Sequence, residues 1–331
     1  VLICSKKCNH ADNKMTDYNL KKDHKHFLDL SSLSASNVRD IIEKAKIIKQ
    51  TAKEQNQSKG FVHPDAPLQD QALAMIFEKP STRTRVSCEM AMHQLGGTSV
   101  VLQNHDMQLG RGESVSDTAK VLSGFVDAIM LRANSHEALL EMAEKSTVPI
   151  INALTDFSHP CQIMADVLTF EEHAGPITGK KIAWSGDGNN VAISWIQAAV
   201  LFDCELALAC PSEYAPLEQV VGWAKGNGGK VTVTDDPTEA TKDADCVITD
   251  TFVSMGDEDA EKRLNDLSPY KVDSALMSNA KTEALFMHCL PAHRGEEVSA
   301  KVIDGPQSVI WDEAENRLHI QKAILMWCFG K

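Results

Sequence analysis

One stretch decides the fold of this chain: Leu73-Ala74-Met75-Ile76-Phe77-Glu78-Lys79-Pro80-Ser81-Thr82-Arg83-Thr84-Arg85. Its first five residues form an apolar run typical of a buried strand, and the residues after Arg85 follow helical spacing. The Ser/Thr/Arg run therefore stands where a strand ends and a helix begins. The first N–H groups of a helix are unpaired and carry the positive end of its dipole, so they suit a phosphate. Two arginines beside the hydroxyls favour an anion site over a simple Ser or Thr cap.

The overall composition excludes several classes of function. The chain has 331 residues, 33 Lys and Arg against 46 Asp and Glu, and a formal net charge of -13. This acidic balance argues against general binding of nucleic acids or anionic membranes, although local arginines can still dominate a cleft for a small anion. No apolar run approaches the roughly 20 residues of a membrane span. With 43% hydrophobic residues the chain can bury a large core, and its length suggests about two domains.

The cysteines indicate a reducing compartment, and the N-terminal segment indicates an extension outside the fold. Nine cysteines are scattered without a CxxC pair, which predicts a cytoplasmic protein rather than a disulfide scaffold. Cys4, Cys8 and His10 match no standard zinc spacing, so no metal site is expected there. Residues 1–26 are polar, lack periodic apolar positions and contain no signal-peptide core, which predicts a flexible N-terminal extension.

Strand-like apolar runs alternate with helical segments along the rest of the chain. Such alternation implies parallel sheets with right-handed crossovers. We expect a late strand at 308–310 and a final helix over 314–329. The predicted fold class is α/β: two α/β domains with parallel sheets, joined by an interdomain helix, with the C-terminal helix crossing back. The expected parts are the extension (1–26), a first domain (27–159), a second domain (160–312) that opens with the linking helix (160–173), and the final helix (313–331).

Polar clusters follow the predicted strand ends in both halves of the chain. Ligands of open α/β sheets bind beyond the carboxyl ends of the strands. In the first half these ends carry the Ser/Thr/Arg run and Arg132, and in the second half they carry Asp250 and Cys289. His159 and Gln162 lie one turn apart at the start of the linking helix. These positions predict one cleft between two domains.

Two motifs in the second half leave alternatives open. The turn Gly186-Asp187-Gly188 resembles part of a dinucleotide fingerprint, but Val191 replaces its third glycine, so a nicotinamide site is disfavoured. Asn190 is then a polar group at a helix start. Cys289 is either an ordinary core cysteine or a site thiol whose pKa is lowered by His293 and Arg294.

Four motifs together resemble the aspartate/ornithine carbamoyltransferase family, from about residue 27 to the end. They are Phe77-Glu78-Lys79-Pro80-Ser81-Thr82-Arg83-Thr84-Arg85, His159-Pro160-Cys161-Gln162, Asp250-Thr251-Phe252-Val253-Ser254-Met255-Gly256 and His288-Cys289-Leu290-Pro291. The first two are typical of the whole family, which uses carbamoyl phosphate. The last two are typical of its ornithine branch.

The resemblance implies which residues bind each substrate. Carbamoyl phosphate would be held by Ser81, Thr82, Arg83, Thr84, Gln108, Arg132, His159, Gln162, Cys289, Leu290 and Arg317. L-Ornithine would be held by Asn152, Asn190, Asp250, Ser254 and Met255. The catalytic residues would be Arg132, His159, Asp250 and Cys289. Gln108 would reach across a subunit interface, at a position where the family varies between Gln and His.

The resemblance also implies a reaction and an assembly. The δ-amine of ornithine would attack the carbamoyl carbon to give L-citrulline and phosphate, with carbamoyl phosphate binding first and the loop 254–259 closing. A homotrimer or a multiple of trimers is expected, with no metal or cofactor, and with a cis bond between Leu290 and Pro291. The alternatives are carbamoylation of another amine, such as putrescine or an acylated ornithine, and a non-catalytic paralogue that binds carbamoyl phosphate.

Overall fold

The computed structural model describes residues 24–103, 112–254 and 259–331. A four-stranded parallel sheet forms first, from β1 (Ala72–Phe77), β2 (Thr98–Gln103), β3 (Ala128–Arg132) and β4 (Ile150–Leu154). Its strand order is β2-β1-β3-β4, with β2 and β4 at the edges. The helices of this half are α1 (Ala35–Glu54), α2 (Thr82–Gln94), α3 (Val115–Ser123) and α4 (His136–Lys145).

A five-stranded parallel sheet follows in the second half. Its strands are β5 (Lys181–Ser185), β6 (Glu205–Ala209), β7 (Lys230–Thr234), β8 (Cys246–Ile248) and β9 (Leu285–Met287), in the order β7-β6-β5-β8-β9. The strand order reverses direction next to β5, which is where open α/β sheets form a ligand crevice. The helices are α6 (Asn190–Phe202), α7 (Glu218–Gly226), α8 (Pro237–Thr241), α9 (Ala260–Leu267), α10 (Ser274–Met277) and α11 (Ala300–Ile303).

Two further helices join the halves. α5 (Pro160–Ala174) leads from the first sheet to the second, and α12 (Ile310–Cys328) returns to pack against α1, α2 and α5. The largest apolar core is continuous through both halves, and it includes Leu73 of β1, Val167 of α5, Trp184 of β5 and Ile324 of α12. The predicted fold class is confirmed, including the linking helix and the returning C-terminal helix.

Helix starts in this fold are set by identifiable residues. Ser34 and Asn37 form a reciprocal capping box at α1. Pro160 occupies the first turn of α5, where its missing N–H costs nothing. Asn189 caps α6, because its Oδ1 accepts from the N–H groups of Val191 and Ala192 at 2.9 and 3.2 Å. The starts of α5 and α6 are thereby fixed at the cleft.

Some expected boundaries differ from the structure. The strand expected at 308–310 is absent: Ser308 forms only an isolated bridge with Phe286, and α12 already begins at Ile310. Short apolar runs fit either a strand or a buried helix start, and packing decides between them. His26 is buried and its Nδ1 accepts from Ile150 N–H at 3.1 Å, so this residue belongs to the folded part.

Two other sequence expectations are met. The Leu290–Pro291 peptide bond is cis. Across the described ranges, every helix is too short or too polar to cross a membrane. The expected residues Gln108 and Met255, and most of the loop 254–259, lie outside the described part of the chain.

Candidate active site

The start of α2 lies at the carboxyl end of β1, beside the last residue of β3. Ser81 is the N-cap residue, yet its side chain does not cap the helix; its Oγ accepts instead from Arg132 Nη1 at 3.1 Å. Thr84 Oγ1 accepts from Arg317 Nη2 at 2.7 Å, and Arg317 Nη1 donates to Gln162 Oε1. The Ser81 side chain thus does not cap the first N–H groups of α2. The guanidiniums of Arg132 and Arg317 lie next to them. Such a helix start is suited to an anion.

Three guanidiniums share this region. Burial, together with the charges of Arg317 and Arg83, lowers the pKa of Arg132 to about 10. Burial and the charge of Arg317 also lower the pKa of Arg83. The Nε atoms of Arg132 and Arg317 are buried without a hydrogen-bond partner. Like charges held together with unused donors indicate a site suited to an anion.

His159 lies beside this cationic cluster as an uncharged imidazole. It precedes α5, it is 5% exposed, and its backbone N–H donates to Ser194 Oγ at 2.8 Å. Burial lowers the pKa of His159 well below its usual value, and the neighbouring arginines lower it further. Its Nδ1 is buried without a partner. The ring can therefore serve as a neutral hydrogen-bonding group for a ligand.

The second half contributes a carboxylate and a thiol. Cys289 Sγ donates to Asp250 Oδ1 at 3.2 Å. Asp250 Oδ1 also accepts from Thr251 N–H at 2.8 Å, and Asp250 Oδ2 accepts from Asn189 Nδ2 at 2.9 Å. Asp250 and Cys289 follow strands of the second sheet, β8 and β9 respectively. The carboxylate is therefore held in one orientation by donors from three loops.

The thiol of Cys289 is protonated rather than activated. Burial raises its pKa well above the usual value, and the charge of Asp250 raises it further. Arg294 is engaged elsewhere, donating to Asp304 at 2.7 and 2.9 Å, and His293 Nδ1 lies 3.7 Å from Glu297 Oε2. The alternative in which His293 and Arg294 lower the pKa of this thiol is therefore wrong. The short separation of His293 and Arg294 from Cys289 along the chain does not indicate the direction in which their side chains point.

The two clusters face one cleft. The charge of Asp250 raises the pKa of Arg83 against the effect of its burial. The Cys289 thiol also lies within electrostatic range of Arg83 and Arg132. Groups in the first half thus lie within electrostatic range of the carboxylate and thiol of the second half. An anionic group and an amine can therefore be bound side by side.

Comparison with known proteins agrees with this geometry. The model of the carbamoyl-P binding domain of aspartate/ornithine carbamoyltransferases matches residues 25–172. The model of the Asp/Orn binding domain matches residues 178–328. The chain belongs to the aspartate/ornithine carbamoyltransferase family. The resemblance drawn from the four motifs is confirmed.

Individual members of the family are similar over nearly their whole length. The ornithine carbamoyltransferase of Rhodopseudomonas palustris (strain BisA53) is 56% identical over 306 residues, which are 92% of this chain and 97% of that protein. That of Brucella suis biovar 1 is 57% identical over 304 residues, 92% of this chain and 95% of that protein. The solved ornithine carbamoyltransferase of Pyrococcus furiosus superposes with a TM-score of 0.87 at 46% identity, covering 93% of this chain and 97% of that chain.

Three of the remaining residues assigned from the family resemblance are Asn190, Ser254 and Leu290. Asn190 lies at the start of α6, where its Nδ2 donates to Thr155 O at 2.7 Å, and Ser254 is exposed at the end of a described range. Leu290 has a left-handed backbone, with φ of 59°, and its N–H donates to His288 Nδ1 at 2.9 Å. Asn190, Ser254 and Leu290 lie on loops or at a helix start around the cleft.

Asn152 is buried in the first half of the chain. It is 0% exposed, and its amide nitrogen donates to Leu28 O at 2.8 Å and to Ser158 Oγ at 3.1 Å. Both hydrogens of the amide are thus used inside the first half. Its Oδ1 is buried without a hydrogen-bond partner, so this oxygen is the atom that could bind a ligand, and the assignment to ornithine stays a prediction.

Sequence reasoning missed several residues that support the site. Asn189 orients Asp250 and caps α6, and Asp166 and Glu313 contact the amide of Gln162. A signal was present for each: Asn189 directly precedes a helix, Asp166 lies four residues after Gln162, and Glu313 lies four residues before Arg317. Residues four apart share one helix face.

Proposed function

We propose that this chain transfers the carbamoyl group of carbamoyl phosphate to the δ-amine of L-ornithine, giving L-citrulline and phosphate. One observation carries the proposal: Arg83 at the start of α2 and Arg132 at the end of β3 lie within electrostatic range of the Asp250–Cys289 pair. A cationic cluster suits an acyl phosphate, and a fixed carboxylate suits an amine. The relatives named ornithine carbamoyltransferase support the same pair of substrates.

Carbamoyl phosphate would bind between α2, α5 and α12. Its phosphate would meet the uncapped N–H groups of α2 and the guanidinium of Arg83, and its carbamoyl group would reach toward Gln162. The residues proposed for this substrate are Ser81, Thr82, Arg83, Thr84, Gln108, Arg132, His159, Gln162, Cys289, Leu290 and Arg317.

The carbamoyl carbonyl would be polarised by Arg132, His159 and Thr84. Thr84 Oγ1 already accepts from Arg317, so its own hydrogen can be donated to the substrate. The neutral His159 adds a donor without placing another cation among the arginines. As negative charge develops on the carbonyl oxygen, these groups stabilise it; the loss of one such donor typically costs about 2.7–4 kcal/mol.

Ornithine would bind from the second half, with Asp250 and Cys289 beside its δ-amine. The amine must lose a proton to attack, although a free alkyl amine has a pKa near ~10.4. Exclusion of water favours the neutral form. The N–C bond then forms, the C–O bond to phosphate breaks, and the departing phosphate accepts the proton of the amine. The residues proposed for this substrate are Asn152, Asn190, Asp250, Ser254 and Met255.

We also propose a homotrimer in which Gln108 completes the site of the neighbouring subunit. Val86 of α2 and Val100 of the edge strand β2 are 53% and 47% exposed. Val86 lines an open cavity of about 510 Å³ that also includes Ser81, Thr82 and Gln103 in its wall. Apolar side chains at a substrate-binding edge support an interface there. Sedimentation should give a trimer, and Val100→Asp should dissociate it and abolish activity.

A cytoplasmic location is part of the proposal. Among the described residues, seven cysteines are free: Cys88, Cys161, Cys204, Cys210, Cys246, Cys289 and Cys328. Unpaired thiols are typical of proteins in reducing compartments.

A citrulline assay tests the function directly. Purified protein with carbamoyl phosphate and L-ornithine should release citrulline and phosphate in equal amounts. Putrescine should react far more slowly, because it lacks the α-amino and carboxylate groups that Asn190 and Ser254 are proposed to hold. Faster carbamoylation of putrescine would exclude ornithine as the substrate. Phosphate-site binding without any citrulline would exclude catalysis.

A further inference from the structure

Two buried carboxyl groups meet at the amide of Gln162. Its Nε2 donates to Asp166 Oδ1 at 2.8 Å and to Glu313 Oε1 at 3.1 Å. Gln162, Asp166 and Glu313 are each 1% exposed. Asp166 lies on α5 with Gln162, whereas Glu313 comes from α12. The contact therefore joins two helices at the back of the proposed carbamoyl site.

These contacts fix which way the Gln162 amide faces. Its nitrogen lies between two carboxyl oxygens, and its Oε1 accepts from Arg317 Nη1. A flipped amide would set its oxygen against the carboxyl oxygens and its NH₂ against the guanidinium, losing every one of these bonds. The only polar atom that Gln162 can offer a ligand is thus an acceptor.

Glu313 also contacts the loop that carries Cys289 and Leu290. Glu313 Oε2 accepts from the backbone N–H of His288 at 2.9 Å. His288 Nδ1 in turn accepts from Leu290 N–H at 2.9 Å, so its Nε2 carries the hydrogen and donates to Glu297 Oε1 at 3.2 Å. The amide of Gln162 and this loop are held by one carboxyl group.

One proton shared between Asp166 and Glu313 is sufficient to prevent both carboxyl groups from being charged at once. Burial raises the pKa of both Asp166 and Glu313, and the charge of Asp166 raises the pKa of Glu313 further. Arg317 is the cation that lowers both pKa values, and the thiols of Cys246 and Cys289 also lie within range of the pair. A single negative charge balances Arg317, and Arg83 and Arg132 stay available for the phosphate.

We propose that Asp166 and Glu313 share one proton and act as positioning residues for Gln162. They hold the Gln162 oxygen toward the substrate, and the site therefore selects an acyl phosphate that carries an N–H donor. This inference rests on the proposed function. Carbamoyl phosphate offers an NH₂ group to this oxygen, whereas acetyl phosphate offers a methyl group and leaves the oxygen with Arg317 as its donor from the protein alone. The loss of one hydrogen bond at such a buried acceptor weakens binding by about tenfold.

The test compares Asp166→Ala, Asp166→Asn and the control Asp312→Asn. The amide introduced by Asp166→Asn would accept from Gln162 through its oxygen and donate to Glu313 through its nitrogen, which reproduces a protonated Asp166. Asp312 bonds His173 at 2.8 Å and so joins the same two helices, but at the surface. The measured quantities are the KM for carbamoyl phosphate and the inhibition constants of acetyl phosphate and inorganic phosphate.

Asp166→Ala should reduce the preference for carbamoyl over acetyl phosphate by about tenfold or more, with inhibition by inorganic phosphate changed less than about threefold. Asp166→Asn and Asp312→Asn should both keep the wild-type preference. An unchanged preference in Asp166→Ala, or the same loss in Asp166→Asn, would overturn the inference. A parallel fall in inhibition by inorganic phosphate would also overturn it, because the role would then be merely structural.

Infrared spectroscopy tests the shared proton independently, even if Asp166→Ala does not fold. At neutral pH the wild-type protein should show the infrared band of a neutral carboxyl group that Asp166→Asn lacks. Identical spectra would exclude the shared proton. Wild-type protein that makes no citrulline would instead refute the proposed function, so the two failures can be told apart.

Discussion

Arg317 Nη2 donates to Thr84 Oγ1 at 2.7 Å, although 233 residues separate the two along the chain. The same guanidinium donates to Gln162 Oε1. One side chain of the last helix therefore connects the starts of α2 and α5. The anion site is complete only after the end of the chain has folded back across the first half.

Arg132→Ala should reduce citrulline formation by about 10²–10³-fold, because a preorganised donor to the developing oxyanion is lost. The fold should survive, since the side chain of Arg132 makes a single described hydrogen bond, to Ser81. The measurement is kcat for citrulline together with the thermal unfolding midpoint.

The matched control for Arg132 is Arg294→Ala, which removes an exposed guanidinium paired with Asp304. This variant should keep wild-type turnover. Near-normal citrulline production by Arg132→Ala would refute the role of Arg132.

Asp250→Asn should raise the KM for ornithine far more than the dissociation constant of carbamoyl phosphate. The carboxylate is aligned by Asn189 and Thr251, which both belong to the second half of the chain. Steady-state kinetics with ornithine and calorimetry with carbamoyl phosphate separate the two effects. Equal losses for both substrates would contradict a division of the site between the halves; Asp203→Asn, at an exposed ion pair with Lys230, is the control.

The thiol of Cys289 should react slowly with iodoacetamide at neutral pH. Burial and the charge of Asp250 raise the pKa of this thiol, so little thiolate exists there, and the rate should climb about tenfold per pH unit toward alkaline pH. Peptide mass spectrometry would identify the labelled residue. Asp250→Asn should accelerate labelling by removing the nearby negative charge. Fast labelling at pH 7 that ignores this substitution would show that the thiol is already ionised.

Glu171→Gln should destabilise the joint between α1 and α5. Glu171, whose side chain is 2% exposed, bonds Arg39 at 2.7 and 2.9 Å and Lys46 at 2.7 Å. Hydrogen bonds to charged groups are worth about 1.5–3 kcal/mol, and a loss of that order is expected in urea unfolding at pH 7. Glu43→Gln, at a half-exposed carboxylate that also contacts Lys46, should cost less than about 1 kcal/mol.

The effect of Glu171 should depend on pH in one direction. Burial alone would raise its pKa, but the bonds from Lys46 and Arg39 outweigh burial and lower it below 4.5. Its contribution is therefore present above pH 4.5 and is lost as the pH falls through the lower folded value. The difference between wild type and Glu171→Gln should shrink in acid; a constant difference would point to packing instead of charge.

Helices and strands could be predicted from the sequence where their apolar pattern was long. The polar contacts between side chains could not be predicted. The strand at Lys181–Ser185 and the helix that begins at Pro160 follow from apolar runs and a proline at a helix start. The strand expected at 308–310 was wrong because three residues are too few to show a periodicity. The direction of Arg294, which pairs with Asp304, depends on how a loop folds and leaves no trace in spacing.

The sequence by itself determined the alternation of strands and helices, the acidic balance of charge and the motifs that identify the family, because these depend on residue type and local spacing. Only the tertiary structure decided that Cys289 keeps its proton, that Asn152 uses its amide hydrogens internally, and that Asp166 and Glu313 meet at Gln162. The physical reason is that burial and hydrogen-bond partners set protonation and orientation, and both depend on segments that are distant in the chain.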